Sequence, residues 1–401
     1  MEYNDIQPLI LAYHRVISSV DLRFKRYLYS QVNWDVRLIG IKGARGVGKT
    51  TMLLQRIKDK FDKIDEAFYV SLDSLWFNMY SLIDLVDFLY THGVNNIFLD
   101  EVHKYPNWIQ TLKNLYDNYP ELNIVYTGSS MLELDNSKAD LSRRQTIYTL
   151  NGLSFREYLE YEGIYTCENI DFHHLLENHV NYAMKISGKI KVLKFFESYL
   201  KKGYYPYYKK IGPDYYMRIN EVVRLVIESD LPSVENIAYS TVKKTEKLLM
   251  IIAKSVPFIP NINSLCGQVE LTRDMCLRSL YALDKAGLLN LLTDEIKNYK
   301  QLSKPEKIYL ANTDLMYALS SDVSVGNIRE TFFAEQVSSK YPLALSHKGD
   351  FKVNDNYHFE VGGKKKNFDQ IADMDNGYLA VDDTEIGYGH RIPLWMFGML
   401  Y

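Results

Sequence analysis

Eight consecutive residues, Gly43-Ala44-Arg45-Gly46-Val47-Gly48-Lys49-Thr50, have the spacing of a phosphate-cradling loop, GxxxxGK[ST]. The residue types follow from the chemistry. Triphosphate oxygens crowd a helix start, where unpaired N–H groups and the positive end of the helix dipole face anions. Gly43, Gly46 and Gly48 let the backbone wrap closely around such a group, with Ala44, Arg45 and Val47 completing the loop. Lys49 is placed to reach the β- and γ-phosphates, the Thr50 hydroxyl to ligate Mg²⁺, and Thr51 to continue the first helical turn.

A second set of groups lies about fifty residues on. Asn95-Asn96-Ile97-Phe98-Leu99-Asp100-Glu101 is a short apolar run ending in two carboxylates, as in a buried parallel strand that delivers acids at its C-terminal end. Asp100 is expected to hold a water on Mg²⁺, and Glu101 to orient or deprotonate the water that attacks the γ-phosphate. A third run, Leu122–Thr127, precedes Gly128-Ser129-Ser130. Thr127 and Ser129 are candidates for a hydrogen bond to the attacking water or the γ-phosphate; the alternative is a strand-to-helix turn with Ser as N-cap. Arg143-Arg144 offers a cation for the transition state, in cis or from a neighbouring subunit, although adjacent arginines also suit a solvated basic patch.

These groups need elements to hold them. Val36–Ile41 reads as a strand before the loop, and Thr51–Ile57 has apolar residues at helical spacing after it. Leu153–Glu162 and Val192–Leu200 read as helices, the second ended by Gly203-Tyr204-Tyr205-Pro206. His173, His174 and His179 lack the Glu of a zincin motif and read as a polar helix face. Further on, Thr245–Ser255 and Leu271–Leu283 read as helices. Ala286–Leu292 reads as a turn into a strand, and Lys307–Leu310 as its returning partner. This helix–helix–hairpin order suits a winged helix, with Arg273 and Arg278 as the cations its second helix offers to a DNA major groove or, alternatively, a unit used for protein packing.

In order, Gly43–Thr51, Leu99–Trp108, Tyr126–Ser130, Leu141–Arg144 and Leu153–Leu159 resemble a prokaryotic AAA+ ATPase family. The resemblance implies an α/β fold with a parallel sheet flanked by helices, followed by a helical lid, a winged helix and a small α/β domain similar to restriction endonucleases. It places nucleotide contacts at residues 43–51, magnesium and water chemistry at Asp100 and Glu101, and an arginine role at Arg144. The family often has Gly before that arginine, where this chain has Arg143, so which of the two points inward stays open. The divisions expected are 1–150 for the ATPase core, 151–235 for the lid, 236–322 for the winged helix and 323–401 for the nuclease-like domain. In the last, Ile328–Val337 reads as a helix, with Asp350–Val353 and His358–Lys364 as strands. Nuclease-like domains of this kind pair an Asp and a Glu with a Lys two positions later. Here Gly362 occupies that position after Glu360 and the next lysine is Lys364, so a degenerate domain retained for binding is expected, with an active DNA nuclease as the alternative.

Length and composition agree with several structural units. The 401 residues exceed the size at which one core stops growing, and 47% hydrophobic content supports packed cores. A net charge of −3 gives no global electrostatic case for nucleic acid, so DNA contact requires a local patch. Cys167, Cys266 and Cys276 form no metal-ligand pattern and suit reduced thiols in the cytoplasm. The N-terminal residues lack the blocks of a signal peptide, and no apolar run is long enough for a bilayer. The expected ligands are ATP and Mg²⁺, with a DNA or protein partner through residues 236–401, a homo-oligomer as a further possibility, and no membrane. The chief alternative is a nucleotide-gated switch with little turnover.

Overall fold

The computed structural model describes residues 1–61, 66–128, 141, 143–232, 239–255, 257, 259–293 and 304–401. The chain divides into two compact units, Met1–Gly152 and Leu153–Tyr401.

In the first unit, strands β1 (Leu38–Lys42), β2 (Ala67–Ser71), β3 (Asn96–Asp100), β4 (Asn123–Gly128) and β5 (Thr146–Thr149) form one parallel sheet in the order β2-β3-β4-β1-β5. Their apolar residues are nearly continuous rather than alternating, because helices cover both faces of such a sheet. Leu38, Ile39 and Ile41 of β1 are fully buried, as are Leu99 on β3 and Tyr126 on β4. Helices α1 (Tyr3–Ser18), α2 (Leu28–Gln31), α3 (Lys49–Lys60), α4 (Leu82–Thr91) and α5 (Trp108–Asn118) surround it, α1 packing on α3 and α4 on α5. The expected strands fall within two residues of those observed. The sequence alone did not show the order, in which β4 separates the strand carrying the phosphate loop from the strand carrying the acids.

The second unit is helical from α6 (Phe155–Tyr161), closed at its start by a reciprocal Ser154/Glu157 capping box, through α7 (Phe172–Ser187), α8 (Val192–Lys202), α9 (Tyr208–Ile211) and α10 (Tyr215–Leu225). Then come α11 (Tyr239–Ala253), α12 (Ile262–Val269) and α13 (Arg273–Lys285), followed by an antiparallel pair, β6 (Leu289–Leu292) and β7 (Lys307–Leu310). After α14 (Thr313–Leu319) and α15 (Val325–Ser338), a second sheet is built from β8 (Leu343–Leu345), β9 (Phe351–Val353), β10 (Tyr357–Gly362), β11 (Gly377–Val381) and β12 (Arg391–Pro393). Its order is β12-β11-β10-β9-β8, antiparallel on the β8 side and parallel from β10 to β12. Phe333 of α15 packs between Phe351, Phe359 and Phe397 with ring centroids 4.7–5.1 Å apart, fixing that helix to the sheet.

His179 departs from the expected polar face. It is buried, with Nε2 2.9 Å from the Gly389 carbonyl, and burial lowers its pKa. Among the described residues no group of three or more His, Cys, Asp or Glu is arranged to hold a metal, and no helix is long and apolar enough to cross a membrane.

Candidate nucleotide-binding site

The loop after β1 is held in a shape that only its glycines permit. Gly48 caps α3 with φ +101°, in the left-handed region, and Gly46 has φ +84°. At Gly43 the constraint is space, since a β-carbon there would lie 2.2 Å from the Leu150 carbonyl oxygen. Val47 is fully buried and anchors the loop from beneath. The backbone of Ala44, Arg45 and Gly46 therefore spans the gap between β1 and α3, whose first residues are Lys49, Thr50 and Thr51. Lys49 is itself buried, and its ammonium donates to the carbonyls of Gly43 (2.8 Å) and Ala44 (3.1 Å), so the cation lies folded back along the cradle.

The sheet order brings the acid to the loop. Asp100, at the end of β3 and 3% exposed, receives three hydroxyls. Thr50 Oγ1 donates to Oδ2 at 2.6 Å, Tyr69 to the same oxygen at 2.9 Å, and Thr127 donates to Oδ1. A buried carboxylate requires such partners. The neighbouring Tyr69 hydroxyl is driven well above its ordinary pKa by burial and the Asp100 charge, so it remains a donor. Thr127 also accepts the Glu101 N–H at 3.3 Å, so one hydroxyl on β4 links both acids. Glu101 has φ +54° and ψ +43°, a left-handed conformation unusual for a residue with a side chain, and its Oε2 lies 3.3 Å from His103 Nε2.

The structure thus gathers Lys49, Thr50, Asp100, Glu101 and Thr127 at the C-terminal edge of the sheet. Thr127 supports Asp100 directly, a position that the expected contact with water or γ-phosphate did not anticipate. Ser129 lies outside the described residues. Arg144 is elsewhere. Thr146 pairs with Ile39 at the N-terminal end of β1, whereas the loop follows Lys42 at the other end, so Arg144, two residues before Thr146, sits at the opposite edge. There it forms a forked pair with Asp117 in the last turn of α5, at 2.8 and 3.0 Å, and holds that carboxyl below its ordinary pKa. Arg143 is exposed and Arg144 half-buried. In this arrangement Arg144 lies away from its own loop, contrary to the version of the arginine role in cis.

Sequence reasoning missed three groups: Tyr69, His103 and Arg26. Arg26 is 5% exposed and donates to the Val47 carbonyl, and through its other terminal nitrogen to Asn151 O (2.7 Å) and Gly152 O (2.8 Å). A tyrosine in an apolar run or an arginine ahead of the first strand carries no local signal.

The donor set suits a hard divalent cation bound with phosphates. A Thr hydroxyl and a carboxylate are adjacent, both oxygen ligands, beside a backbone cradle. When bound, Mg²⁺ would neutralise phosphate charge, with Thr50 and Asp100 as the residues that hold it directly or through water.

This arrangement defines a P-loop α/β domain, and residues 35–159 match the family described as an AAA domain. That segment contains Lys49, Thr50, Asp100, Glu101 and Thr127. A relative, Uncharacterized protein MJ1637 of Methanocaldococcus jannaschii, is 28% identical over 366 residues, 83% of this chain and 77% of its own length. Among solved structures, AMPPCP-bound DnaA from Aquifex aeolicus is 16% identical with a TM-score of 0.27, covering 70% of this chain and 88% of its own. C. elegans PCH-2 is 19% identical with a TM-score of 0.23, over 46% and 47%.

Proposed function

We propose that the chain is a Mg²⁺-dependent ATPase of AAA+ type whose nucleotide cycle rearranges the half beyond Gly152. The observation that carries this reading is the 2.6 Å contact between Thr50 of the loop and Asp100 of β3, two oxygen groups beside a glycine cradle that support a metal-ligating role. Lys49 exchanges the Gly43 and Ala44 carbonyls for phosphate oxygens, and the N–H groups opening α3 complete the anion site. Glu101 takes the proton of the attacking water or orients it. Arg144 acts on the site of a neighbouring copy, which makes the active form a homo-oligomer. Residues 151–235 serve as lid, 236–322 as a winged helix and 323–401 as a nuclease-like domain that binds a DNA or protein partner. The alternative is a switch that holds ATP without hydrolysing it. Single-turnover hydrolysis separates the two: with Mg²⁺, bound ATP is expected to convert to ADP within minutes and to persist in EDTA. Arg144→Ala is expected to slow this conversion with little change in ATP affinity. A wild-type complex that retains ATP for hours in Mg²⁺ would favour the switch.

A second reading concerns the second sheet. The lysine expected near Glu360 was Lys364, but Lys364 is exposed, and Lys366 instead carries its ammonium to Glu360 Oε1. Across from it, Asp350 accepts the Val361 N–H at 2.9 Å. Burial, the nearby Glu330 and Glu360 charges raise its pKa to about 6, opposed by that N–H and by Lys307. Lys307 ties Glu330 at 2.7 Å and stands 3.7 Å from Asp350. Two acids and a lysine converge although the sequence spacing is displaced, which supports metal-assisted phosphodiester hydrolysis as the alternative to the degenerate binding domain. DNA incubated with Mn²⁺ or Mg²⁺ is then cut by the wild type and spared by Glu360→Ala. Intact DNA with both proteins leaves the binding role.

A further inference from the structure

Arg26 lies ahead of β1, outside the residues that the loop motif defines, yet its guanidinium reaches the loop and the end of the first unit together. One terminal nitrogen donates to the Val47 carbonyl; the other donates to Asn151 O at 2.7 Å and Gly152 O at 2.8 Å. The Val47 carbonyl shares a planar trans peptide with the Gly48 N–H, so the two groups point in opposite directions. Fixing the carbonyl on Arg26 therefore fixes the direction of the amide that opens α3. It also polarises that peptide, making the N–H a stronger donor to an anion. The other end of the contact is equally firm. The loop and the segment at 150–152 already touch, since Gly43 has no room for a β-carbon against Leu150 O, and Leu150 N–H donates to Lys42 O at 2.8 Å. Tyr27, next to Arg26, donates to Thr149 O at 3.1 Å.

We propose that Arg26 is a positioning residue for phosphate binding, which aims the Val47–Gly48 peptide at the nucleotide and links that peptide to residues 151–152, where the chain leaves the first unit. The inference rests on the reading of the loop as a nucleotide site. A phosphate drawing on the Gly48 N–H pulls on a peptide whose carbonyl is bonded to the same guanidinium that holds Asn151 and Gly152. Nucleotide occupancy is therefore felt at the exit segment through this guanidinium, by a route separate from Lys49 and Asp100. Lysine cannot replace the fork, because its point charge cannot bond both carbonyl sets in fixed directions.

The test titrates the full chain with a fluorescent ATP analogue in Mg²⁺, comparing wild type, Arg26→Ala, Arg26→Lys and Lys49→Ala. Arg26→Ala is expected to weaken binding by about tenfold or more, as for a lost hydrogen bond from a charged group, and Arg26→Lys to recover part of it. A folded Arg26→Ala chain that binds like wild type overturns the proposal. Hydrogen exchange on the unaltered protein gives a readout that a merely structural arginine would not move: ATP should protect residues 150–152 as well as 43–50. Protection confined to 43–50 overturns the link even if Arg26→Ala fails to fold. Absence of ATP binding by the wild type itself overturns the nucleotide reading, and this inference with it.

Discussion

Lys49→Ala is expected to lose ATP affinity by at least about a hundredfold, the scale of a charge-assisted contact removed from a desolvated phosphate site. The ammonium is buried and already lies along the cradle, on the Gly43 and Ala44 carbonyls, so it binds phosphate with little additional ordering. Removing it also leaves those two carbonyls without this donor, but the loop's shape rests on Gly43, Gly48 and the Arg26 contacts, which the substitution leaves in place. Isothermal titration with ATP and Mg²⁺ measures the loss, and circular dichroism of the same sample checks the fold. Equal affinity in variant and wild type would falsify the assignment of the loop.

Glu101→Gln separates binding from chemistry. Its carboxylate follows Asp100 at the end of β3 and lies 3.3 Å from His103 Nε2. ATP affinity should stay within about threefold of wild type, whereas turnover should fall by about 10²–10⁴-fold, the usual contribution of a positioned general base. Glutamine keeps the size and the left-handed backbone but cannot take a proton. Phosphate release under saturating ATP, set beside the titration, makes the comparison. Turnover at the wild-type rate would move the base role to another residue.

Much of the site was legible because its chemistry is written locally. The loop needs glycines at fixed offsets, and the acids must end an apolar strand, so residues 43–51 and 100–101 stand out without a fold. Thr127 stood out as a polar side chain ending a strand, but its partner did not, because that depends on β4 lying between β1 and β3. Tyr69 reaches Asp100 only because β2 pairs with β3 in register, Ser71 opposite Asp100. Arg26 and the carbonyls of Asn151 and Gly152 are about 125 residues apart in sequence, a separation no periodicity reports. In the second unit the spacing rule pointed to Lys364. The chain after Gly362-Gly363 turns instead, Lys366 N–H bonding to Gly363 O at 2.9 Å, and that turn supplies the later lysine.

The backbone at Glu101 bears on how this domain divides its stability. A left-handed residue with a long side chain costs on the order of 1 kcal/mol that Gly or Asn would largely avoid. A sequence chosen for folding alone would place one of those there. The carboxylate occupies a position that the polypeptide would rather give to a different residue, so part of the fold's thermodynamic margin is surrendered to keep an acid at the end of that strand.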